Sequence, residues 1–271
     1  MQTTIDDRRI GYESAGHGVP LLLLHAFPLN RTMFAEQVDA LSDIARVITV
    51  DVPGVGRSEP GPLSIDGMAD LAASLLDALQ IPQAVVGGVS MGGYAALAFA
   101  RRHPDRLQGL VLANTRAAAD TEEARRGRLE TAEVARNEGP SAIAERMLPK
   151  VLGATALKRN RKLIDRVRAM IEAVPGEVIA DLLGALAGRA DSTPILGTIQ
   201  VPTLVVAADE DVLTPAAEAL EWSKLIADCR FVEIPGAGHL SNLEAPEQFN
   251  KAVHEFLEMS VLFREGKIAR S

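Results

Sequence analysis

Residues 88–92 read Gly88-Val89-Ser90-Met91-Gly92, and a further glycine, Gly93, follows them. This G-x-S-x-G stretch comes after the apolar run AVV (84–86) and precedes the helical pattern YAALAFARRH (94–103). A serine between a buried strand and a helix lies on a sharp, strained turn, which requires small neighbours. The turn presents the hydroxyl at the edge of the sheet, where the N-terminal end of the helix favours a developing negative charge. The stretch therefore predicts a nucleophilic Ser90 in an α/β fold, with an ordinary tight turn as the alternative.

The sequence on both sides of this turn alternates strand-like apolar runs with helical patterns. Near-continuous runs of Val, Leu and Ile indicate strands that are buried on both faces, as in a parallel sheet. The strand candidates are PLLLLHAF (20–27), RVITVDV (46–52), QAVVGGVS (83–90), LQGLVLAN (107–114), PTLVVAAD (202–209) and RFVEIPG (230–236). The region around Tyr12 is assigned to an antiparallel edge hairpin. The alternation predicts a sheet that is covered by helices on both sides.

Three helical patterns lie in this alternating part of the chain. Residues 66–79 carry apolar side chains at helical spacing, and Asp66 is placed to cap that helix. Residues 216–227 follow Thr214, which is a possible cap. Residues 246–259 carry one apolar stripe. We expect all three to pack on the sheet.

Residues 117–193 have a different composition, rich in Ala, Leu, Arg and Glu, and show no strand pattern. We expect about four helices there, with breaks near Gly139-Pro140, Gly153 and Pro175-Gly176. A helical block inserted between two core strands would form a lid over the carboxyl ends of the strands, where ligands bind in open α/β sheets. A helical domain without contact to any site is the alternative.

The 271 residues are 47% hydrophobic, which is enough to bury a sizeable core. We expect one α/β core formed by residues 1–116 and 194–259, interrupted by the lid at 117–193. The tail, residues 260–271, is expected to be weakly ordered.

Charge and cysteine content narrow the function classes. The formal net charge is −8 and no dense Lys/Arg cluster is present, so we expect no nucleic-acid partner. The single cysteine, Cys229, excludes an intrachain disulfide and fits a reducing compartment. The N-terminal stretch lacks an apolar signal region, and the aliphatic run 21–24 is too short to cross a bilayer. We therefore expect a protein without a membrane partner, which is cytoplasmic if this is the native start. The sequence does not indicate its oligomeric state.

Nothing in the sequence points to a metal or a cofactor. Gly54 and Gly56 belong to a turn after a strand candidate, and they lack the further glycine and the helix start of a dinucleotide site. No metal-ligand cluster and no phosphate-binding loop is found. We expect a reaction carried by side chains and backbone alone.

His239 is the expected base. It follows the strand candidate RFVEIPG in a loop that contains Gly236 and Gly238, so it can reach a neighbouring strand end. A histidine in a surface loop is the alternative. In the predicted role, neutral His239 removes the proton of Ser90 as the serine attacks a carbonyl.

The acid is expected after the strand candidate PTLVVAAD. The loop offers Asp209, Glu210 and Asp211, of which Asp211 lies deepest. We assign Asp211 as the residue that orients the histidine, with Asp209 as the fallback, and simple solvation of the loop as the alternative. Attack by Ser90 would give an acyl-enzyme that water later cleaves.

Two backbone N–H groups are expected to bind the oxyanion. One belongs to Met91, the residue after the nucleophile, and the other to Phe27 in the loop after the first long strand candidate. Phe27 is also a candidate for lining the acyl pocket. For His25 we expect a bracing role in this loop rather than acid–base chemistry.

Six segments together resemble the α/β-hydrolase superfamily, most closely bacterial carboxylesterases and 3-oxoadipate enol-lactonase-like hydrolases. The segments are LLLLHAFPLN (21–30), TVDVPGVGRSE (49–59), GGVSMGGYAAL (87–97), ANTRAAADTEEAR (113–125), VPTLVVAADEDVLTP (201–215) and IPGAGHLSNLEAPEQF (234–249). The order Ser90, Asp211, His239 is that of the family. The resemblance implies a mostly parallel eight-stranded sheet flanked by helices, an inserted helical lid, and hydrolysis of carboxylic esters or lactones.

The chain departs from the family pattern at three places. The family usually has His-Gly before the oxyanion residue, whereas this chain has His25-Ala26, and Ala208 replaces a usual glycine before the acid loop. Enol-lactonase-like members often carry a tryptophan in the lid, but the only tryptophan here, Trp222, lies outside it. None of these departures removes a catalytic group. The position of Trp222 outside the lid weakens the narrower assignment as an enol-lactonase.

The expected partner is a small ester or lactone. Candidate acyl-pocket residues are apolar side chains of the lid, and for each of them a place in the lid core is the more ordinary alternative: Met147, Leu148, Met170, Ile171, Leu182, Leu183 and Leu186. Aromatic residues make up only 4% of the chain, so an aliphatic pocket for modest-sized substrates is expected. Arg116, at the exit into the lid, could bind a substrate carboxylate or pair with an acid such as Asp120.

Three further functions are left open beside ester or lactone hydrolysis. The same site could send the acyl group elsewhere, as in a cofactor-free perhydrolase, or cleave a C–C bond. The fold could also serve as a non-catalytic small-molecule receptor. Peroxide trapping and product analysis distinguish the first two from hydrolysis, and tight binding with very slow turnover would identify a receptor.

Overall fold

A β-sheet of eight strands forms the centre of the computed structural model, which describes residues 1–262. The strands are β1 (Gln2–Ile5), β2 (Arg8–Ala15), β3 (Val19–Leu24), β4 (Ala45–Val50), β5 (Ala84–Val89), β6 (Leu107–Ala113), β7 (Thr203–Ala208) and β8 (Cys229–Ile234). Their order is β1-β2-β4-β3-β5-β6-β7-β8, in which β3 to β8 are parallel and β1 and β2 pair antiparallel. The predicted sheet and the edge hairpin around Tyr12 are confirmed.

Helices accompany the sheet in an alternating pattern. Those of residues 1–262 are α1 (Ala35–Leu41), α2 (Ile65–Ala78), α3 (Met91–Arg102), α4 (Glu122–Glu138), α5 (Pro140–Val151), α6 (Ala154–Arg159), α7 (Arg161–Glu172), α8 (Gly176–Ala187), α9 (Ala216–Ser223), α10 (Ser241–Glu244) and α11 (Pro246–Phe256), which a π-helix (Leu257–Leu262) continues. α2 and α3 pack on each other and on the sheet, and α1 and α11 form a second such group. The tail predicted for 260–271 lies, from residue 263 onward, outside the described residues.

The register of the parallel strands brings the loops that follow them to one edge of the sheet. Leu24 of β3 pairs with Gly88 of β5, and Val89 of β5 pairs with Ala113 of β6. β6 pairs in turn with β7, and β7 with β8 up to Ile234. Every residue of β5 and β7 is buried, because aliphatic runs are covered on both faces of a parallel sheet. The loops that follow β3, β5, β6, β7 and β8 therefore leave the sheet side by side.

Two predicted helix caps are wrong, although the helices are present. α2 begins one residue earlier than expected, and its cap is Ser64, whose side chain accepts a hydrogen bond from Gly67 N at 2.9 Å. Asp66 lies in the first turn and forms an ion pair with Arg101. α9 starts after Pro215 without a side-chain cap, because the hydroxyl of Thr214 is directed elsewhere.

The helical insertion, defined as α4 to α8, lies between β6 and β7 and contains five helices rather than about four. The breaks at Gly139-Pro140, Gly153 and Pro175-Gly176 are present. The additional break is at Asn160, whose backbone leaves the helical region and whose side chain caps α7 by accepting from Leu163 N at 3.0 Å. Asparagine favours such caps, but without a glycine or proline the break gave no strong signal.

A buried arginine, Arg189, connects the segment that leads into the insertion with the segment that leaves it. The guanidinium of Arg189 forms an ion pair with Asp120 at 2.6 Å, and both side chains are 2% exposed. It also donates to Ala118 O at 2.9 Å and lies 4.3 Å from the centre of the Tyr94 ring in α3. The insertion is thereby tied to the helix that follows β5.

Candidate active site

Ser90 lies on a strained turn between β5 and α3. Its backbone angles are φ 55° and ψ −112°, a conformation that costs a non-glycine residue about 1–3 kcal/mol. Three hydrogen bonds hold it: Ser90 N donates to Ala113 O, and Ser90 O accepts from Tyr94 N and from Thr115 Oγ1. The serine is thus presented at the edge where the loops converge.

Close backbone contacts explain why glycines flank the serine. A Cβ atom on Gly92 would lie 1.9 Å from the carbonyl oxygen of Leu24 in β3, and one on Gly88 would lie 2.2 Å from the carbonyl carbon of Gly92. Neither position can hold a side chain unless the backbone moves. The motif therefore packs the start of α3 directly against the loop that carries Phe27.

Ser90, His239 and Asp211 form one hydrogen-bonded series. His239 Nε2 lies 2.7 Å from Ser90 Oγ, and His239 Nδ1 lies 2.8 Å from Asp211 Oδ2. His239 and Asp211 are buried, whereas Ser90 is half-buried and so keeps access to the surface. Ser90 and Asp211 are 121 residues apart in the sequence, and Asp211 and His239 are 28 residues apart. The structure brings these three predicted residues together in the order expected.

The Asp211 carboxylate accepts five hydrogen bonds. Besides His239, it receives Leu213 N, Thr214 N, Thr214 Oγ1 and Asn114 Nδ2, at distances of 2.5–3.0 Å. Burial alone would raise the pKa of Asp211, but the bonds from His239 and Thr214 outweigh it and hold the pKa well below its usual range. These bonds consequently favour the charged carboxylate form of Asp211.

The neighbouring acids of the loop have other partners. Asp209, the fallback assignment, accepts from Gly236 N at 2.7 Å and makes no hydrogen bond to His239 among those of the described residues. Glu210 accepts from Thr155 of the helical insertion. Of the three acids, the geometry brings Asp211 to the histidine.

The two N–H groups expected to bind the oxyanion lie at the start of α3 and in the loop after β3. Met91 is the first residue of α3, so its N–H has no partner within the helix. Phe27 is half-buried in the loop that leaves the neighbouring strand β3. His25 is fully buried, accepts from Val52 N at 3.2 Å and lies 3.0 Å from Ala26 O through Nδ1. Burial lowers the pKa of His25, so its neutral ring braces the loop.

The structure places Arg116 beside the acid loop. Its guanidinium donates to the carbonyl oxygen of Leu213 and lies 3.9 Å from Glu218. Asp120 is paired with Arg128 and Arg189 instead, so the Arg116–Asp120 pair considered from the sequence is wrong. Arg116 supports the loop whose Leu213 N–H donates to Asp211.

The candidate acyl-pocket residues belong to the apolar interior of the insertion. Met147 is half-buried, and the others are buried: Leu148, Met170, Ile171, Leu182, Leu183 and Leu186. A cavity of about 1050 Å³ lies elsewhere, between α4, α8 and the segment before α2. Its lining contains none of these residues and none of the Ser90–His239–Asp211 series.

Three contributors to the site were missed in the sequence. Asn114, directly after β6, donates to Asp211, and Thr214 was interpreted only as a helix cap. Glu244, five residues after His239, accepts from Leu240 N at 3.1 Å and from Gly153 N at 2.8 Å. Polar residues at the carboxyl ends of buried strands were the available signal for Asn114.

The described part of the chain contains neither a metal-binding cluster nor a membrane-spanning helix. Among residues 1–262, no group of three or more His, Cys, Asp or Glu side chains is arranged to hold a metal ion. Within the same residues, no helix has the length and apolar character needed to cross a membrane.

The chain is similar to known proteins over most of its length. A family model described as alpha/beta hydrolase fold matches residues 19–246, a range that includes Ser90, Asp211 and His239. The 3-oxoadipate enol-lactonase 2 of Acinetobacter baylyi is 29% identical over 259 residues, which cover 94% of this chain and 95% of the relative.

Two solved structures are similar over nearly the whole chain. A thermophilic esterase from Thermogutta terrifontis, with malate bound, has a TM-score of 0.92 and 39% identity, covering 96% of this chain and 97% of that chain. The enol-lactonase from Burkholderia xenovorans LB400 has a TM-score of 0.88 and 31% identity, covering 95% and 100%.

Proposed function

Because the chain belongs to the α/β-hydrolase family, we propose that it is a serine hydrolase that cleaves carboxylic esters or lactones through an acyl-enzyme. The observation that carries the proposal is the series from Ser90 Oγ to His239 at 2.7 Å and from His239 to Asp211 at 2.8 Å. The esterase and the enol-lactonases among the similar proteins support this substrate class.

In the first half of the reaction, Ser90 Oγ attacks the substrate carbonyl while neutral His239 takes its proton through Nε2. Asp211 accepts the Nδ1–H, which fixes the tautomer, and its negative charge stabilises the imidazolium that forms. The N–H groups of Phe27 and Met91 bind the oxyanion, and losing one such donor typically costs about 3–4 kcal/mol. His239 then gives the proton to the departing alkoxide, and the C–O bond breaks.

In the second half, water replaces the alcohol. His239 removes a proton from the water, whose oxygen attacks the acyl carbon and forms a second oxyanion at the same N–H groups. Collapse breaks the bond to Ser90 Oγ, which recovers its proton from His239, and the carboxylic acid leaves. For a lactone the alkoxide and the acyl group are one molecule, so a single ring-opened hydroxy acid leaves.

We assign the insertion, residues 117–193, as a lid over this edge of the sheet, with Met147, Leu148, Met170 and Leu183 walling an aliphatic acyl pocket. The flexible thioether of methionine suits a wall that adapts to different chains. Esters of modest size should therefore be the best substrates. A p-nitrophenyl ester series from acetate to palmitate tests this, and a strong preference for long chains would contradict it.

The test of the proposed function is intact-protein mass spectrometry after exposure to a fluorophosphonate, with p-nitrophenyl acetate and butyrate turnover measured alongside. Wild type should gain one adduct, Ser90→Ala none, and His239→Ala should react much more slowly, with turnover lost in both variants. Ser64→Ala is the matched serine control, because it removes only the cap of α2. A folded wild type that gains no adduct and hydrolyses no ester would overturn the proposal and favour the receptor function.

A further inference from the structure

Helix α6 of the insertion is capped by side chains from outside the insertion. Its N-cap residue, Gly153, has no side chain to offer, and the N–H of Gly153 donates instead to Glu244 Oε2 at 2.8 Å. Thr155 N and Thr155 Oγ1 donate to the two oxygens of Glu210, at 2.8 and 2.6 Å. A helix normally satisfies these first N–H groups with its own cap or with water.

The two capping carboxylates belong to the loops that carry the base and the acid. Glu210 directly precedes Asp211 in the chain. Glu244 lies on the His239 side, where its Oε1 accepts from Leu240 N at 3.1 Å. One carboxylate thus receives the N–H of Leu240, the residue after His239, and the N–H of Gly153 at the start of α6.

Backbone contact reinforces this arrangement. A Cβ atom on Gly238 would lie 2.2 Å from Gly153 N, and one on Gly153 would lie 2.8 Å from Gly238 N. The two glycines therefore face each other without room for a side chain. The start of α6 lies directly on the loop that carries His239.

We propose that Glu244 is a positioning residue for His239, and that the start of α6, residues 153–155, belongs to the support of the Ser90–His239–Asp211 series. This inference rests on the proposed function. Without the hydrogen bonds from the start of α6, Glu210 and Glu244 would each lose a contact that restrains the loop they belong to. A change in this part of the insertion should therefore alter kcat, even though residues 153–155 need not touch the substrate.

The charges around these carboxylates define how Glu244 acts. His239 faces Glu244 from its own loop, Asp211 lies on the other side of His239, and Lys158 of α6 faces Glu210. Burial raises the pKa of Glu244. This effect outweighs the backbone hydrogen bonds and the charge of His239, which lower the pKa. In its charged form, Glu244 holds the loop and favours the imidazolium that forms during the reaction.

The test compares Glu244→Gln and Thr155→Ala with wild type, using kcat and KM for p-nitrophenyl butyrate, the pH dependence of Ser90 labelling, and the NMR titration of His239. Glutamine keeps the size of the side chain but loses the charge and one acceptor. We expect kcat to fall about tenfold to a hundredfold in Glu244→Gln, as for a lost hydrogen bond to a charged group, with KM changed by less than about threefold. The acid limb of labelling and the titration midpoint of His239 should move to lower pH.

Substitutions of Thr155 provide a second test. Because Thr155 is exposed, replacing it does not disturb a buried group. Thr155→Ala should lower kcat by a smaller factor, and Thr155→Ser, which restores the hydroxyl bond to Glu210, should recover most of the loss. Gly127→Ala in α4 is the control, because a Cβ there meets nothing within 4 Å. It should leave kcat and the pH profile unchanged.

The outcomes separate this inference from the proposed function. An unchanged kcat and an unmoved acid limb in folded Glu244→Gln, or a rise in KM alone, would overturn the positioning role while leaving the serine hydrolase intact. Unchanged kinetics of Thr155→Ala would show that α6 does not support the Ser90–His239–Asp211 series. Failure of wild type to label Ser90 is instead a failure of the proposed function. In that case the His239 titration still decides whether Glu244 acts on the imidazole.

Discussion

The side-chain nitrogen of Asn114 lies 3.0 Å from Asp211 Oδ2, the oxygen that also bonds to His239. The same nitrogen is 3.3 Å from the carbonyl oxygen of Gly238, and Asn114 Oδ1 accepts from Ser241 Oγ at 2.5 Å. Asn114 has a positive φ of 45°, which asparagine adopts more readily than most residues. From the end of β6 it therefore joins the loop of the acid to the loop of the base.

Asn114→Ala should lower kcat about tenfold to a hundredfold with little change in KM, because a hydrogen bond to a charged group contributes about 1.5–3 kcal/mol. Steady-state hydrolysis of p-nitrophenyl butyrate measures this. Asn160→Ala is the matched control: it removes the cap of α7, so we expect a stability loss of about 1 kcal/mol with normal kcat. Normal kcat in a folded Asn114→Ala protein would show that the bond is catalytically neutral.

Arg116→Ala tests whether Arg116 supports the acid loop or binds a substrate carboxylate. Its bond to Leu213 O predicts a loss in kcat of about fivefold to tenfold for neutral and anionic esters alike, as expected for one hydrogen bond of about 1 kcal/mol. The ratio of kcat/KM for the two ester classes is the deciding measurement. A selective loss with the anionic ester would instead assign Arg116 to the substrate.

His25 should make the protein less stable in mild acid. Because burial lowers the pKa of His25, the unfolded chain binds the proton more readily than the folded one. The free energy of unfolding should fall as the pH drops below about 6.5, by at most about 1.4 kcal/mol per pH unit from this group. Urea unfolding of wild type and His25→Gln between pH 5 and 8 isolates the contribution. Parallel pH profiles for the two proteins would contradict the neutral, bracing role.

Asp120→Asn should be among the most destabilising conservative changes. It leaves the guanidinium of Arg189, 2% exposed, without its anionic partner, and breaking a buried pair in this way costs about 3–5 kcal/mol. Glu133→Gln provides the comparison, since its ion pair with Arg136 is on the surface and should contribute at most about 1 kcal/mol. Urea midpoints of the two variants should differ clearly, and equal midpoints would contradict the prediction.

The parts of this molecule that follow from local pattern were predictable from its sequence. The six parallel strands were found within three residues because each carries a run of apolar side chains, and the turn at Ser90 was found because small residues flank a serine between a strand and a helix. Asp211 and His239 followed from their positions after strands. Asn114, Thr214 and Glu244 were missed because their partners lie on other loops or, for Thr214, because a local capping rule competed with a bond to Asp211. Such bonds are decided by tertiary packing, which periodicity does not report.

The sheet order also sets when reactivity can arise during synthesis. Ser90 and the residues that hold its turn are present once the chain has been made through β6 and Thr115, but Asp211 and His239 follow β7 and β8, beyond the whole helical insertion. Chains grow from the N-terminus at about 5–20 residues per second, so a nascent chain carries the serine for several seconds before its base exists. A ribosome-bound chain that ends before residue 239 should therefore hold an unactivated serine, and acyl transfer becomes possible only when the last strand has joined the sheet.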